Sequence, residues 1–266
     1  MKIDRQAAMR VFGAYVKNYD CHDEKIRLKI EHTYKVASLC EQIAKSERLS
    51  TSDTDLAWLI GLLHDIGRFE QLRRYGTFID AESIDHAELG ADILFRQGKI
   101  REFVADTSCD ALIERAVRCH SLYRLPEGLD KRETMFCDII RDADKVDILR
   151  VNVEFAPEDI YNVSSEILRS EEVTPEVMQS FFEEHATLRS LKKTAVDHLA
   201  GHISLIYELV YPYSVKVMSE QGFLEKMLDF KSENPHTREQ FKTIAERINI
   251  YVEKRLSEIN SKECNA

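Results

Sequence analysis

Only nine glycines and five prolines punctuate the 266 residues, and this scarcity is the tightest limit on what the chain can fold into. A many-stranded sandwich or barrel needs turn signals about every 8–12 residues. Leu, Ile, Glu, Lys, Arg and Ala are plentiful instead, the residues that lose least on entering a helix. The chain is long enough for one large helical domain, or a core with an appended helical region, with ample volume for a hydrophobic core.

The apolar residues recur at helical spacing. Between Ile26 and Leu49 they fall at Leu28, Tyr34, Val36, Leu39, Cys40, Ile43 and Ala44, which predicts one long helix. The cluster TSDTD at 51–55 supplies capping side chains for an apolar helix at 56–63, and Gly67 reads as its stop. A loop over 68–85 leads to a helix from about His86 to Phe95, ending near Gly98. Further helices are expected from Ala111 to Leu122 and from Glu133 to Arg150, the latter burying Phe136, Ile139, Ile140, Ala143 and Val146. Beyond Pro157 amphipathic stretches continue near 158–169, 175–190, 191–211, 214–230 and 236–258 without repeats. No Ser/Gly-rich linker intervenes, so the expectation is a single all-α domain over 1–266, with a core at 25–150 and a C-terminal helical extension at 158–260.

A formal net charge of −10 argues against broad nucleic-acid binding or attraction to an anionic membrane. Cys21, Cys40, Cys109, Cys119, Cys137 and Cys264 form no CxxC pair and read as reduced thiols. The start MKIDRQAAMR has no apolar signal-peptide core, and the longest apolar run, AWLIGLL at 57–63, is too short to span a membrane. A cytoplasmic location is therefore expected.

His64 and Asp65 in GLLHDIGRF follow directly on a buried apolar helix, where an imidazole and a carboxylate are costly unless something compensates them. A metal ion would compensate both. His32, His86 and His120 each lie on a different expected helix, and Asp144 on the next one, so successive helices of a bundle can point one ligand each at a shared centre.

These motifs resemble the HD superfamily of metal-dependent phosphohydrolases, whose pattern H…HD…D is met by EHTYKV at His32, by GLLHDIGRF at His64 and Asp65, and by RDADKVD at Asp144. The resemblance covers roughly 25–150 and is similar in particular to the binuclear branch, whose two added histidines are matched in IDHAELGADIL by His86 and in ERAVRCHSLY by His120. It implies an HD-type helical bundle. It also implies one metal on His32, His64, Asp65 and Asp144, with Asp65 bridging to a second on His86 and His120. Asp142 and Asp147 are the rivals of Asp144. ADKV matches the family's Asp followed by a basic residue, and Asp142 should point roughly 160° away around the helix.

Two divalent ions there would leave a small net positive charge facing an anionic phosphate, and a metal-bridging hydroxide would be the nucleophile. Four imidazoles with two carboxylates suit iron, manganese, cobalt, nickel or zinc better than magnesium. Arg68 and Lys145 are candidates for contacting phosphate, alongside Asp65 in the catalytic centre, on charge and adjacency. The activity so implied is hydrolysis of a phosphate ester or anhydride of a small molecule, with a nucleotide foremost. The alternatives are a non-catalytic nucleotide or metal sensor or scaffold, and a helical protein whose metal only stabilises the fold. His198 and His202 are four apart and could share a helical face, but no Glu follows the first as in HExxH and no third ligand presents itself. His22, His185 and His236 have no such context, and Tyr207, Tyr211 and Tyr213 read as packing residues.

Overall fold

A computed structural model describes residues 2–263, so the sixth cysteine, Cys264, lies outside the described residues. Those residues form helices and connecting turns, with no strand among them. The chain divides into two compact units, Met1–Asp147 and Ile148–Ala266.

The helices of the first unit are α1 (Arg5–Val16), α2 (Glu24–Ser46), α3 (Thr51–Leu63), α4 (Ile66–Tyr75), α5 (His86–Ala91), α6 (Ile100–Phe103), α7 (Asp110–Cys119) and α8 (Lys131–Glu154), the last running past the boundary. Side chains start several of them. Asp4 accepts from the Ala7 amide, Asp23 from Lys25 and Ser50 from Asp53, each answering an amide that the first helical turn leaves unpaired. Phe136, Ile139, Ile140, Ala143 and Val146 are buried along α8, as their spacing predicts.

The second unit carries α9 (Pro157–Tyr161), α10 (Ser165–Ser170), α11 (Pro175–Phe182), α12 (Ala195–Ile203), α13 (Pro212–Gln221), α14 (Phe223–Leu228) and α15 (Pro235–Glu263). Its prolines open helices rather than make turns: Pro157, Pro175 and Pro212 occupy the first turn of α9, α11 and α13. Their missing amide costs nothing there. No helix among the described residues is long and apolar enough to cross a membrane.

Two expectations need correction. The segment 68–75 is not loop but most of α4, which ends only at Gly76 with φ 68°. Gly67 is accordingly no helix stop. It lies inside α4, where a Cβ would sit 2.2 Å from the His86 carbonyl oxygen and 2.6 Å from the Gly90 amide nitrogen. α4 and α5 thus cross backbone to backbone, and the missing side chain is what permits it. α1 was not read from the sequence, although Ala8, Phe12, Tyr15 and Val16 are buried at helical spacing. The Phe12 and Tyr15 rings meet Phe69 of α4 at 5.9 and 6.0 Å.

A second close approach joins α2 to α3. A Cβ on Gly61 would stand 2.7 Å from Ala37 Cα and 3.0 Å from Cys40 Sγ. Backbone in the way cannot swing aside, so Gly67→Ala should destabilise the protein by about 1–3 kcal/mol through overpacking. Gly13→Ala, within α1 and with nothing inside 4 Å of the added carbon, should instead stabilise it by about 0.5–1 kcal/mol. Urea unfolding of the two variants checks both signs.

Candidate metal centre

The two glycine contacts bring four imidazoles together. α2 carries His32, the end of α3 carries His64, α5 opens with His86, and His120 follows the last turn of α7. All four are buried. Their Nε2 atoms converge: His64 lies 3.3 Å from His32, and His86 lies 3.0 Å from His120.

Every Nδ1 is occupied by an acceptor. The Gly61 carbonyl holds His64 and the Val117 carbonyl holds His120, each at 2.7 Å and each three residues back along the imidazole's own helix. Asp147 holds His32 at 2.7 Å, and Asp80 holds His86 at 2.9 Å from both of its oxygens. An imidazole that donates from Nδ1 and is neutral keeps its lone pair on Nε2. Two such lone pairs facing each other at 3.0 Å repel, unless a cation stands between them.

Asp65 sits at the centre. As the N-cap of α4 it makes no capping hydrogen bond, because its carboxylate turns inward. Oδ1 faces His86 Nε2 at 3.4 Å and His120 Nε2 at 3.6 Å. Oδ2 faces His64 Nε2 at 3.6 Å and His32 Nε2 at 3.7 Å. Asp144 closes the second group, with Oδ1 3.0 Å from His32 Nε2 and 3.9 Å from His64 Nε2. Two overlapping sets of potential ligand atoms result, His32–His64–Asp144 and His64–Asp65–His120. Imidazole nitrogens whose other ring atom is anchored, set among carboxylate oxygens, are the donors a transition metal takes. The residues present therefore fit such an ion.

The electrostatics reflect burial and partners. Burial depresses the His64 pKa to about 3 against the pull of Asp65 and Asp144. Burial, reinforced by the charge of Arg68, takes His86 to about 4 despite its bond to Asp80. For His32, burial and the Lys29 charge are outweighed by the bonds to Asp144 and Asp147, so its pKa is raised. Burial opposes ionisation of Asp65, yet Lys29, His64, His120 and Arg68 hold its pKa well below the usual range.

Several residues here escaped the sequence reading. Lys29, 14 % exposed, places its ammonium 2.7 Å from Asp65 Oδ2 and lies over the Phe78 ring. It is one helical turn before His32 and looks in sequence like any surface lysine. Asp80 comes from the irregular segment after α4, where no periodicity singles it out. Asp147, weighed only as a rival of Asp144, instead orients His32.

Arg68 is present but locked. One guanidinium nitrogen donates to the Phe78 carbonyl, to Gln71 and to Asp80, and its Nε is 3.6 Å from Asp65 Oδ1. Lys145 is buried on α8 within electrostatic reach of Asp138, whose pKa it lowers against burial.

Residues 30–149 match the family model described as HD domain. Through this domain the chain is a member of the HD superfamily of metal-dependent phosphohydrolases. No match to the chain was found among curated proteins or among solved structures.

Because Asp80 and Asp147 fix two of the rings, Asp80→Asn and Asp147→Asn should each weaken metal binding by about 10–100-fold without unfolding the protein. Competition titration against a chromogenic chelator reads this directly. A pH dependence follows as well. In the unfolded chain His64 and His86 take up protons near their ordinary value of 6.5, whereas the folded state resists until about 3 and about 4. The unfolded state therefore binds more protons in that window, and stability falls as pH drops through it. Thermal unfolding of chelator-treated protein should show a falling Tm from pH 6.5 to 4, with a shallower slope in His86→Asn.

Proposed function

We propose that the chain is a phosphohydrolase with a binuclear metal centre, acting on a phosphate ester or anhydride of a small molecule, a nucleotide foremost. The observation that carries this is the division of Asp65. Each of its oxygens faces a different pair of imidazole Nε2 atoms, His32 with His64 and His86 with His120. A carboxylate so placed is a bridge between two ion sites rather than a ligand of one.

In this reading His32, His64, Asp65 and Asp144 hold the first ion, and Asp65, His86 and His120 the second. The nitrogen-rich donor set favours iron, manganese, cobalt, nickel or zinc. Bound divalent metal supplies Lewis acidity toward a phosphoryl oxygen and water activation near neutral pH.

The protein's own groups do the rest. Lys29 is the mobile cation of the site, a flexible, partly exposed ammonium next to Asp65, and it is suited to meet a phosphate oxygen. Arg68, tied to Phe78, Gln71 and Asp80, acts as a positioning residue: it keeps Asp80 on His86 Nδ1 and so keeps the His86 lone pair aimed inward. The small-molecule substrate follows from the net charge of −10, which disfavours long polyanions.

Elemental mass spectrometry on protein purified without chelator or affinity nickel should find about two metal ions per chain, falling to about one in the His86→Ala, His120→Ala double variant. Release of phosphate from a panel of nucleotides and phosphodiesters should depend on added metal and vanish in Asp65→Ala while its circular dichroism is retained. One metal in both proteins would reject the binuclear centre. Metal binding without turnover on any of the panel would favour a sensor.

A further inference from the structure

The second unit holds a cationic cluster that the metal centre does not use. α12 turns His198, Gly201 and His202 to one face, as residues three and four apart must be. Lys192, just before the helix, lays its side chain across that face. A Cβ at Gly201 would stand 2.3 Å from Lys192 Cε and 2.5 Å from its Nζ, so the ammonium occupies the space that a side chain at 201 would fill. Glycine inside a helix costs about 1 kcal/mol relative to alanine, and here its bareness admits a lysine.

The Lys192 ammonium lies against His198 and makes no hydrogen bond or ion pair among the described residues. The nearby acid is already engaged: Asp197 accepts from the amides of Thr174, Lys193 and Thr194 and from the Thr174 hydroxyl. Burial, then the charge of Arg189, lower the Lys192 pKa to about 8 against the pull of Asp197. Burial and Lys192 likewise lower His198 to about 4. These groups make an electropositive corner that lacks its anion.

The opposite wall is rigid. The Tyr161 ring stacks at a tilt beside both imidazoles, with centroids 5.8 Å from His198 and 5.5 Å from His202. Its hydroxyl meets Asn152 Oδ1 and lies 2.9 Å from His202 Nδ1. Asn152 Nδ2, which donates to the Ile148 carbonyl, is also 2.9 Å from that nitrogen. His202 Nδ1 thus accepts, leaving the ring's proton on Nε2 as a donor. The His198–His202 pair is no metal site: an ammonium lies beside one ring, and neither histidine belongs to a metal-competent group among the described residues.

We propose that Lys192, His198 and His202, on the face opened by Gly201, form a second site that binds a phosphate group, either free phosphate or the phosphate of a mononucleotide. A tetrahedral oxyanion takes an ammonium and imidazole N–H donors from several directions, and Arg189 adds charge at the rim.

The test follows the Lys192 Cε resonance in full-length protein carrying 13C-labelled lysine, assigned with Lys192→Met, with metal left in place. Titration with inorganic phosphate, and separately with AMP, should shift this resonance saturably and raise the amine's pKa from about 8. Tighter binding of AMP would show that the group arrives on a nucleotide. Gly201→Ala is the decisive variant. Its new carbon displaces only the flexible end of Lys192, so the helix should gain stability while phosphate binding weakens about tenfold or more, the loss of one charge-assisted hydrogen bond. No saturable shift with either ligand, or equal binding by Gly201→Ala, would make the cluster an ordinary solvated patch and overturn the proposal. The Lys192 resonance is blind to the metal centre, so this outcome and the failure of the hydrolase reading are separable.

Discussion

A carboxylate taken out of water needs cations or donors within a few ångströms, or it gives up its charge. Asp65 is 2 % exposed and stays ionised, and the first unit is arranged around that fact. Lys29 reaches it from α2, Arg68 from α4, and imidazoles from α2, α3, α5 and the end of α7 converge on its two oxygens. These groups come from segments spread over most of the unit, so none can be moved without disturbing the charge balance of the rest.

Such convergence requires backbones closer than ordinary side chains permit. At Gly61 the α2–α3 pair closes until a Cβ would touch Ala37, and at Gly67 the α4–α5 pair closes on the His86 carbonyl. Each contact stands within three residues of the His64–Asp65 pair. The chain reverses between α3 and α4 at Asp65 itself, so the same short segment provides the ligands, the break and both close approaches.

The ligand-type residues were legible in sequence for a physical reason. His64 and Asp65 interrupt an apolar run where polar groups are expensive, and His32, His86, His120 and Asp144 fall one to a helix in an order that matches a known family. The groups that orient them were not legible, since their work depends on contacts across the fold. Asp80 sits in a segment without periodicity, Lys29 resembles a solvated charge, and Asp147 shares a helical face with Asp144 and so read as its competitor. Gly67 misled for a related reason. Past an apolar helix a glycine signals an end, and only the position of α5 reveals that it serves a crossing. The two-residue helix–helix junction at His64–Asp65 likewise hid α4 behind what looked like a loop.

The anchoring of the four imidazoles divides them into two kinds. His64 and His120 give their Nδ1 protons to backbone carbonyls of their own helices, at Gly61 and Val117, and no change of side chain elsewhere can take those acceptors away. His32 and His86 depend on carboxylates, Asp147 and Asp80, which a single codon can convert to amides or remove. One half of the centre is thereby invariant for as long as the helices form. The other half is adjustable in basicity, and it is there that inherited variation can retune metal preference without rebuilding the fold.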